Sequence, residues 1–190
     1  MPKLSPRVQL LLGLALAALL AMTRGQHFAT LNLPSASWAV FFLAGVLLAP
    51  RWVFPALFIE ASLLDFAAVQ WAEVSDWCLS PAYWLLLPAY GALWLGGRLY
   101  AGWHRDSLQS LALLAATVAL SALVAYLFSG GGFLYFSGRY PEPSLALLAE
   151  RVVQYYPRYL ASLTLYVGLA AALYIGVRAS RDLRLPTEVK

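Results

Sequence analysis

The chain has 190 residues, of which 62% are hydrophobic and 12% are charged, and its mean hydropathy is +0.70. Soluble domains have about half apolar and a quarter charged residues, so this composition predicts an integral membrane protein that forms one transmembrane domain over residues 1–190. The formal net charge of +4 comes from basic residues scattered beside apolar segments, so it does not indicate a nucleic-acid partner.

Six apolar segments predict an all-α fold with six transmembrane helices. They cover residues 8–22, 35–49, 52–71, 82–97, 108–128 and 159–177. A spanning helix needs about 20 apolar residues, so the third, fifth and sixth segments qualify directly, while the others must borrow flanking residues. The first segment resembles a signal peptide, but residues 21–24 form a weak cleavage site, so we expect a retained helix.

The last helix is expected to begin before its apolar segment. Residues 145–156 form an amphipathic stretch, and Ser144 is a suitable N-cap directly after Pro143. Pro157 then predicts a kink or a restart of the helix.

The basic residues predict that both termini are cytoplasmic. With six spans and this orientation, nine of the 13 basic residues lie inside, which agrees with the positive-inside rule. The nine are Lys3, Arg7, Arg51, Arg98, Arg105, Arg178, Arg181, Arg184 and Lys190, and the outer four are Arg24, Arg139, Arg151 and Arg158.

The three outer connections, residues 23–34, 73–81 and 129–141, are longer and more unusual than the inner ones. In the third, the glycines at positions 130–132 are followed by Phe133-Leu134-Tyr135-Phe136. An aromatic belt at the membrane surface explains scattered aromatic residues but not this run. We therefore favour a glycine-containing loop that closes over a concave site on the outer face.

Two carboxylates, Glu60 and Asp65, lie inside the third segment. Five residues separate them, which places them about 140° apart around a helix, so they are not a catalytic pair. Ionisable groups at membrane depth usually face a bundle interior or a cavity. Arg151 and Arg158 are the expected partners of Asp65, through a structural ion pair or through contact with a ligand.

Cys78 is the only cysteine, and it lies in the polar segment 73–81 between two apolar segments. A single thiol forms no internal disulfide, so it is available for metal ligation or covalent attack, or it is an inert small side chain. Aromatic residues flank it, namely Trp71, Trp77, Tyr83 and Trp84.

Other catalytic and metal-binding patterns are missing. The chain has no phosphate-binding loop motif, which excludes ATP hydrolysis by the chain itself. The two histidines, His27 and His104, are predicted on opposite sides of the membrane, which excludes a multi-histidine metal site.

The first segment carries Gly13, Ala17 and Ala21 at four-residue spacing, a pattern that lets another helix approach closely. Together with the six spans, the cytoplasmic termini and the long first outer loop, this resembles a substrate-binding S-component of the energy-coupling-factor (ECF) vitamin transporters. The lone outer cysteine in Asp76-Trp77-Cys78-Leu79-Ser80-Pro81, followed by Tyr83 and Trp84, resembles the cobalamin-specific BtuM-type proteins.

The resemblance implies an S-component-like bundle in the bacterial inner membrane that takes up cobalamin. It implies that Cys78 ligates the cobalt, since a thiolate is a soft donor suited to an axial position. Displacement of an axial cyanide by this thiolate would make Cys78 a reactive group in a protein that is primarily a transporter. The ligand contacts expected around the corrin are Tyr83, Asp65, Arg151, His27, Trp77, Trp84, Phe133 and Tyr135.

The resemblance also implies partners. In S-components, Ala17 and Ala21 would pack against the coupling helices of a shared transmembrane and ATPase module, although BtuM-type proteins are often solitary. Membrane lipid surrounds the chain in either case.

Two other functions fit the same spans. An S-component for another vitamin predicts the same fold but gives Cys78 no role, and a membrane assembly protein resembling MreD predicts a filled outer face and protein partners. A membrane protease is disfavoured because no nucleophile and base can be paired.

Overall fold

The computed structural model describes residues 4–24, 33–71 and 80–182. Over these residues the protein is all-helical and contains no β-strand, which confirms the all-α part of the predicted fold class. The helices are α1 (Pro6–Arg24), α2 (Ser37–Leu47), α3 (Val53–Trp71), a 3₁₀ helix (Pro81–Leu85), α4 (Leu86–Trp103), α5 (Leu108–Tyr126), a π-helical turn (Leu127–Gly131), α6 (Gly132–Phe136) and α7 (Leu145–Asp182).

Four stretches of helix are long and apolar enough to cross a membrane: Pro6–Arg24, Val53–Trp71, Leu108–Phe136 and Leu145–Ser180. Their outer surfaces carry large apolar side chains such as Leu11 and Leu63, which are 66% and 63% exposed. Apolar surface of this extent is rare on soluble proteins, so these helices indicate a membrane protein. With 11 residues, α2 is too short to count among them. Six spans and cytoplasmic termini stay predictions.

The helices α1, α2, α3, α4, α5 and α7 run in alternate directions, so α1 and α3 are parallel. At one end of the bundle, the end of α1 meets the start of α2 and the end of α3 through Arg24, Ser37 and Asp65. We call this the cavity end. At the opposite end, the connection between α4 and α5 meets α7 through Asp106 and Arg178, and α1 begins at this end, so we call it the terminal end.

The short helix α2 forms the centre of the bundle, because every residue from 37 to 45 is buried. Its closest neighbour is α4. A side chain at Gly45 would overlap the backbone of Trp94, and one at Gly97 would overlap the carbonyl oxygen of Phe42. Two glycines therefore allow the α2 and α4 backbones to touch, as small residues commonly do between membrane helices.

Side chains satisfy the backbone groups beyond the two ends of α2. Arg98 donates hydrogen bonds to the carbonyl oxygens of Leu48 (2.9 Å) and Ala49 (3.1 Å). At the cavity end, the Tyr166 hydroxyl donates to the carbonyl oxygen of Pro34 (2.6 Å). Unpaired carbonyl groups are costly away from water, so these contacts allow a short helix to lie at the bundle centre.

The N-terminus of α7 agrees with the sequence, whereas its proline does not interrupt it. The Ser144 hydroxyl accepts a hydrogen bond from the Leu147 N–H (3.2 Å), which confirms the predicted N-cap. Pro157 lies inside the continuous 38-residue helix, so the helix does not restart there.

The predicted glycine loop is wrong for residues 129–136, because these residues continue α5 as the π-helical turn and α6. The physical reason is close packing. A Cβ atom at Gly132 would overlap the side chain of Leu85, and one at Gly130 would lie 2.7 Å from the ring of Tyr126. These glycines make room for neighbouring side chains within a helix, and only the residues after Phe136 form a non-helical connection.

Candidate functional site

A cavity of about 600 Å³ opens at the cavity end. A cavity of this size falls within the range of sites for small organic ligands. It is lined by Arg24, Asp65, Ser80, Ala82, Tyr83, Leu86, Tyr126, Ser129, Gly130, Phe133, Tyr140, Arg151, Tyr155 and Tyr159. Two guanidinium groups, one carboxylate and five tyrosines thus surround a space with an otherwise apolar wall.

One side of the cavity is built around an ion pair between Arg24 and Asp65. The guanidinium donates from Nε to Asp65 Oδ1 (2.6 Å) and from Nη2 to Oδ2, which is the bidentate geometry that suits this pair. The Tyr83 hydroxyl donates to the same carboxylate (2.9 Å). The side chains of Arg24 and Asp65 are only 14% and 17% exposed. The prediction that Arg151 or Arg158 pairs with Asp65 is therefore wrong.

The remaining guanidinium donor of Arg24 connects α1 to two further helices. Its Nη1 donates to the Tyr90 hydroxyl (2.6 Å) at the start of α4 and to the Ser37 hydroxyl (3.0 Å) at the start of α2. Arg24 thus contacts α2, α3 and α4 at one depth in the bundle. Removing either charge would leave the other buried and uncompensated, which makes this cluster a structural support of the cavity.

The opposite side of the cavity carries Arg151 of α7, which is enclosed by aromatic rings. Its guanidinium lies 5.0 Å from the ring centroid of Tyr140 and 4.9 Å from that of Tyr155, distances typical of cation–π contacts. The Tyr126 hydroxyl donates to the Arg151 carbonyl oxygen (2.9 Å). The Arg151 Nε is buried and has no hydrogen-bond partner among the described residues.

Arg151 also forms no ion pair with a carboxylate in the part of the chain that the structure describes. A buried donor without a partner is unfavourable, so a ligand that supplies an acceptor oxygen would gain a charge-assisted hydrogen bond here. The cavity is therefore asymmetric: the charge of Arg24 is neutralised, and the charge of Arg151 is available.

The structure brings four of the predicted site residues together, because Asp65, Tyr83, Phe133 and Arg151 all line the cavity. Trp84 and Tyr135 do not line it and are 70% and 38% exposed. Three others, His27, Trp77 and Cys78, lie outside the described residues.

The sequence did not identify Arg24 or the tyrosines Tyr126, Tyr155 and Tyr159 as site residues. Arg24 could have been found from its position at the end of an apolar helix, where a charged side chain needs a partner at the same depth. The tyrosines carry no comparable signal, because aromatic residues also accumulate at membrane surfaces.

The predicted helix-contact residues lie elsewhere on the bundle. Ala17 lines a second cavity of about 520 Å³ between α1 and α3, together with Gly13, Ala56 and Glu60. Ala21 is partly buried and does not line it. No three His, Cys, Asp or Glu side chains form a potential metal site within residues 4–24, 33–71 and 80–182.

No protein-family model matches this chain, and no curated protein matches it.

Proposed function

We propose that this protein binds cobalamin at the cavity end and mediates its uptake across the bacterial inner membrane. The observation that carries the proposal is the tyrosine-rich cavity, whose wall includes two arginines and one carboxylate. Ser80 lines the cavity, and it follows Cys78 by two residues in the sequence. The cobalt belongs to the transported ligand and is not a resident cofactor.

The chemistry of the cavity suits a corrinoid. Cobalamin presents an extensive flat ring with carboxamide side chains, so its binding needs aromatic surface and separate polar contacts. The tyrosine rings supply the aromatic surface. The free guanidinium donor of Arg151 supplies a polar contact for a carboxamide oxygen or for the nucleotide phosphate.

Cys78 is proposed to supply the cobalt ligand. A free thiol with a pKa of about 8.5 is mostly protonated at neutral pH, and coordination to a metal removes that proton. With cyanocobalamin, the sulfur would donate an electron pair to Co(III). The Co–C bond would break with its electron pair on cyanide, and the released thiol proton would yield hydrogen cyanide. No electron is transferred to the protein, so this ligand exchange is stoichiometric unless the thiol is regenerated.

The proposed orientation places the cavity end outside the cell. The terminal end carries Arg51, Arg98, Arg105 and Arg178 among the described residues, which suits a cytoplasmic face. In this orientation the ligand enters from the periplasmic side, and a shared energy-coupling module would bind near Ala17 and Ala21.

The alternatives make different predictions about this cavity. A transporter of another vitamin would use the cavity without the thiol, and an MreD-like assembly protein would have no use for it. The presence of an open, polar cavity favours a ligand-binding protein over an assembly protein.

The test is an equilibrium titration of the purified full-length protein with cobalamin, followed by the corrin absorption bands. We expect saturable binding with a changed spectrum, and we expect Cys78→Ala to lose the spectral change and most of the affinity. Riboflavin, thiamine and biotin are the comparison ligands. Binding of one of these in place of cobalamin would contradict the proposal, as would an unchanged spectrum and affinity in Cys78→Ala.

A further inference from the structure

A groove at the terminal end, distant from the proposed cobalamin site, combines an apolar wall with a charged rim. It has a volume of about 490 Å³ and lies between α5 and α7 over the buried α2. Its apolar wall includes Phe42, Val46, Leu111, Val167, Ala171 and Ile175. The rim is formed by the connection between α4 and α5, with His104, Arg105 and Asp106, and by Arg178 of α7.

His104 presents an unused hydrogen-bond donor to this groove. Its side chain is only 10% exposed, and its Nδ1 lies 2.8 Å from the Tyr100 hydroxyl and 3.2 Å from the Ser110 hydroxyl. With both hydroxyls as donors to Nδ1, the neutral imidazole carries its ring proton on Nε2. Nε2 is buried and makes no hydrogen bond among the described residues, although Asp106 Oδ1 lies 3.4 Å from it.

The rim has an excess positive charge. Asp106 is neutralised by Arg178, which donates to its carboxylate, and the Tyr174 hydroxyl donates to it as well (3.2 Å). The exposed Arg105 guanidinium has no ion pair among the described residues. Two guanidinium groups against one carboxylate leave one positive charge beside the His104 donor, which suits an anion with acceptor oxygens.

The apolar wall matches the length of a lipid chain in one leaflet. The lining residues of α7 extend from Val167 to Arg178, eleven steps along the helix or roughly 16 Å, and half of the hydrocarbon core is about 15 Å thick. Two of the lining side chains, Leu111 and Ile175, are 44% and 52% exposed. The groove therefore opens sideways onto apolar surface, where lipid is the nearest occupant for a membrane protein.

We propose that this groove binds one anionic phospholipid, with an acyl chain along the apolar wall between α5 and α7 and the phosphate at Arg105 and His104. An acyl chain covers the wall, and the phosphate oxygens accept hydrogen bonds from His104 Nε2 and the Arg105 guanidinium. The charge excess at the rim makes an anionic headgroup preferred over a zwitterionic one.

The experiment is native mass spectrometry of the full-length protein in mild detergent, titrated with phosphatidylglycerol or phosphatidylcholine. Ala171→Phe fills the groove, and the matched control Ala172→Phe adds the same bulk at an exposed neighbour outside it. Arg105→Gln removes the positive charge that is proposed to contact the headgroup. Arg51→Gln removes an exposed positive charge at the same end of the bundle but outside the groove.

The wild-type protein should bind one phosphatidylglycerol in preference to phosphatidylcholine. Ala171→Phe should weaken that binding at least about tenfold, since it excludes several methylene groups, while Ala172→Phe should not. Arg105→Gln should remove the headgroup preference, and Arg51→Gln should keep it. If Ala171→Phe does not fold, Leu111→Trp fills the groove from α5, with Leu120→Trp as its exposed control.

Equal binding of the two lipids by the wild-type protein would overturn the proposal. So would unchanged binding when the groove is filled. A groove occupied by a second copy of the chain would appear as a dimer that Ala171→Phe dissociates without any lipid preference, and this result would also overturn it.

Discussion

The ion pair between Arg24 and Asp65 gives the most quantitative prediction. Both side chains are more than four-fifths buried, and each keeps other hydrogen bonds when its partner is removed: Asp65 keeps Tyr83, and Arg24 keeps Tyr90 and Ser37. Those neutral hydroxyl groups do not compensate a buried charge. Arg24→Met and Asp65→Leu should therefore each lower the free energy of unfolding by about 3 to 5 kcal/mol.

The double variant removes both charges and should recover at least about 3 kcal/mol relative to the sum of the two single effects. The assay is reversible unfolding of the detergent-solubilised protein in increasing fractions of sodium dodecyl sulfate. The matched controls combine Asp65→Leu with Arg151→Met or Arg158→Met, and these pairs should be additive within about 0.5 kcal/mol. Additivity of Arg24→Met with Asp65→Leu, or strong coupling in a control pair, would refute the assignment of this ion pair.

Three further predictions concern packing, pH and the ligand. Gly97→Ala should lower the free energy of unfolding by about 1 to 3 kcal/mol, because its methyl group meets the α2 backbone, while Gly176→Ala has open space and should be neutral or stabilising. At the terminal end, desolvation raises the pKa of Asp106, whereas the charge of its arginine partner on α7 and the hydrogen bonds to its carboxylate lower it. The net result is a pKa below the usual value. Its contribution to stability should thus be present at neutral pH and be lost as the pH falls through the lowered pKa, and thermal unfolding of Asp106→Asn should lack this acid-side dependence. Arg151→Gln should weaken cobalamin binding about tenfold or more in a spectral titration, whereas Arg158→Gln, outside the cavity, should not.

Composition and apolar length were sufficient to predict the helices but not their arrangement. In a membrane protein the lipid-facing side of a helix is as apolar as its buried side, so hydrophobic periodicity does not identify the centre of the bundle. The segment that became α2 was one of three that needed flanking residues to span a membrane, yet its residues 37–45 are all buried. Its position depends on the contacts of Gly45 and Gly97 with the neighbouring backbones, which no local pattern in the sequence reveals.

The sequence predicted a site that includes Asp65, but it did not predict which side chain pairs with that carboxylate. A carboxylate at membrane depth requires a cavity or a cationic partner, and Asp65 has both. The partner was missed because the first helix was predicted to end at residue 22, which left Arg24 in a connection. The helix continues to Arg24, and because α1 and α3 both run toward the cavity end, its guanidinium reaches the depth of Asp65.

The glycines at positions 130–132 show a second reason why the structure differs from the sequence-based prediction. Three glycines in sequence favour a flexible connection when only local conformational freedom is considered. Gly132 instead accommodates Leu85, which is distant in sequence, and that contact exists only after the 3₁₀ helix has packed against α6. In the sequence, a glycine that is needed for its small size between two helices looks the same as a glycine that is needed for backbone freedom.

The central claim is that the Cys78 sulfur binds the cobalt of cobalamin. Its most direct test is cobalt K-edge X-ray absorption of cobalamin bound to the purified protein, with Cys78→Ser as the matched variant. We expect one sulfur atom in the first coordination shell of the wild-type complex and only nitrogen, oxygen or carbon ligands in the variant. Bound cobalamin without a sulfur ligand in the wild-type protein would contradict the claim.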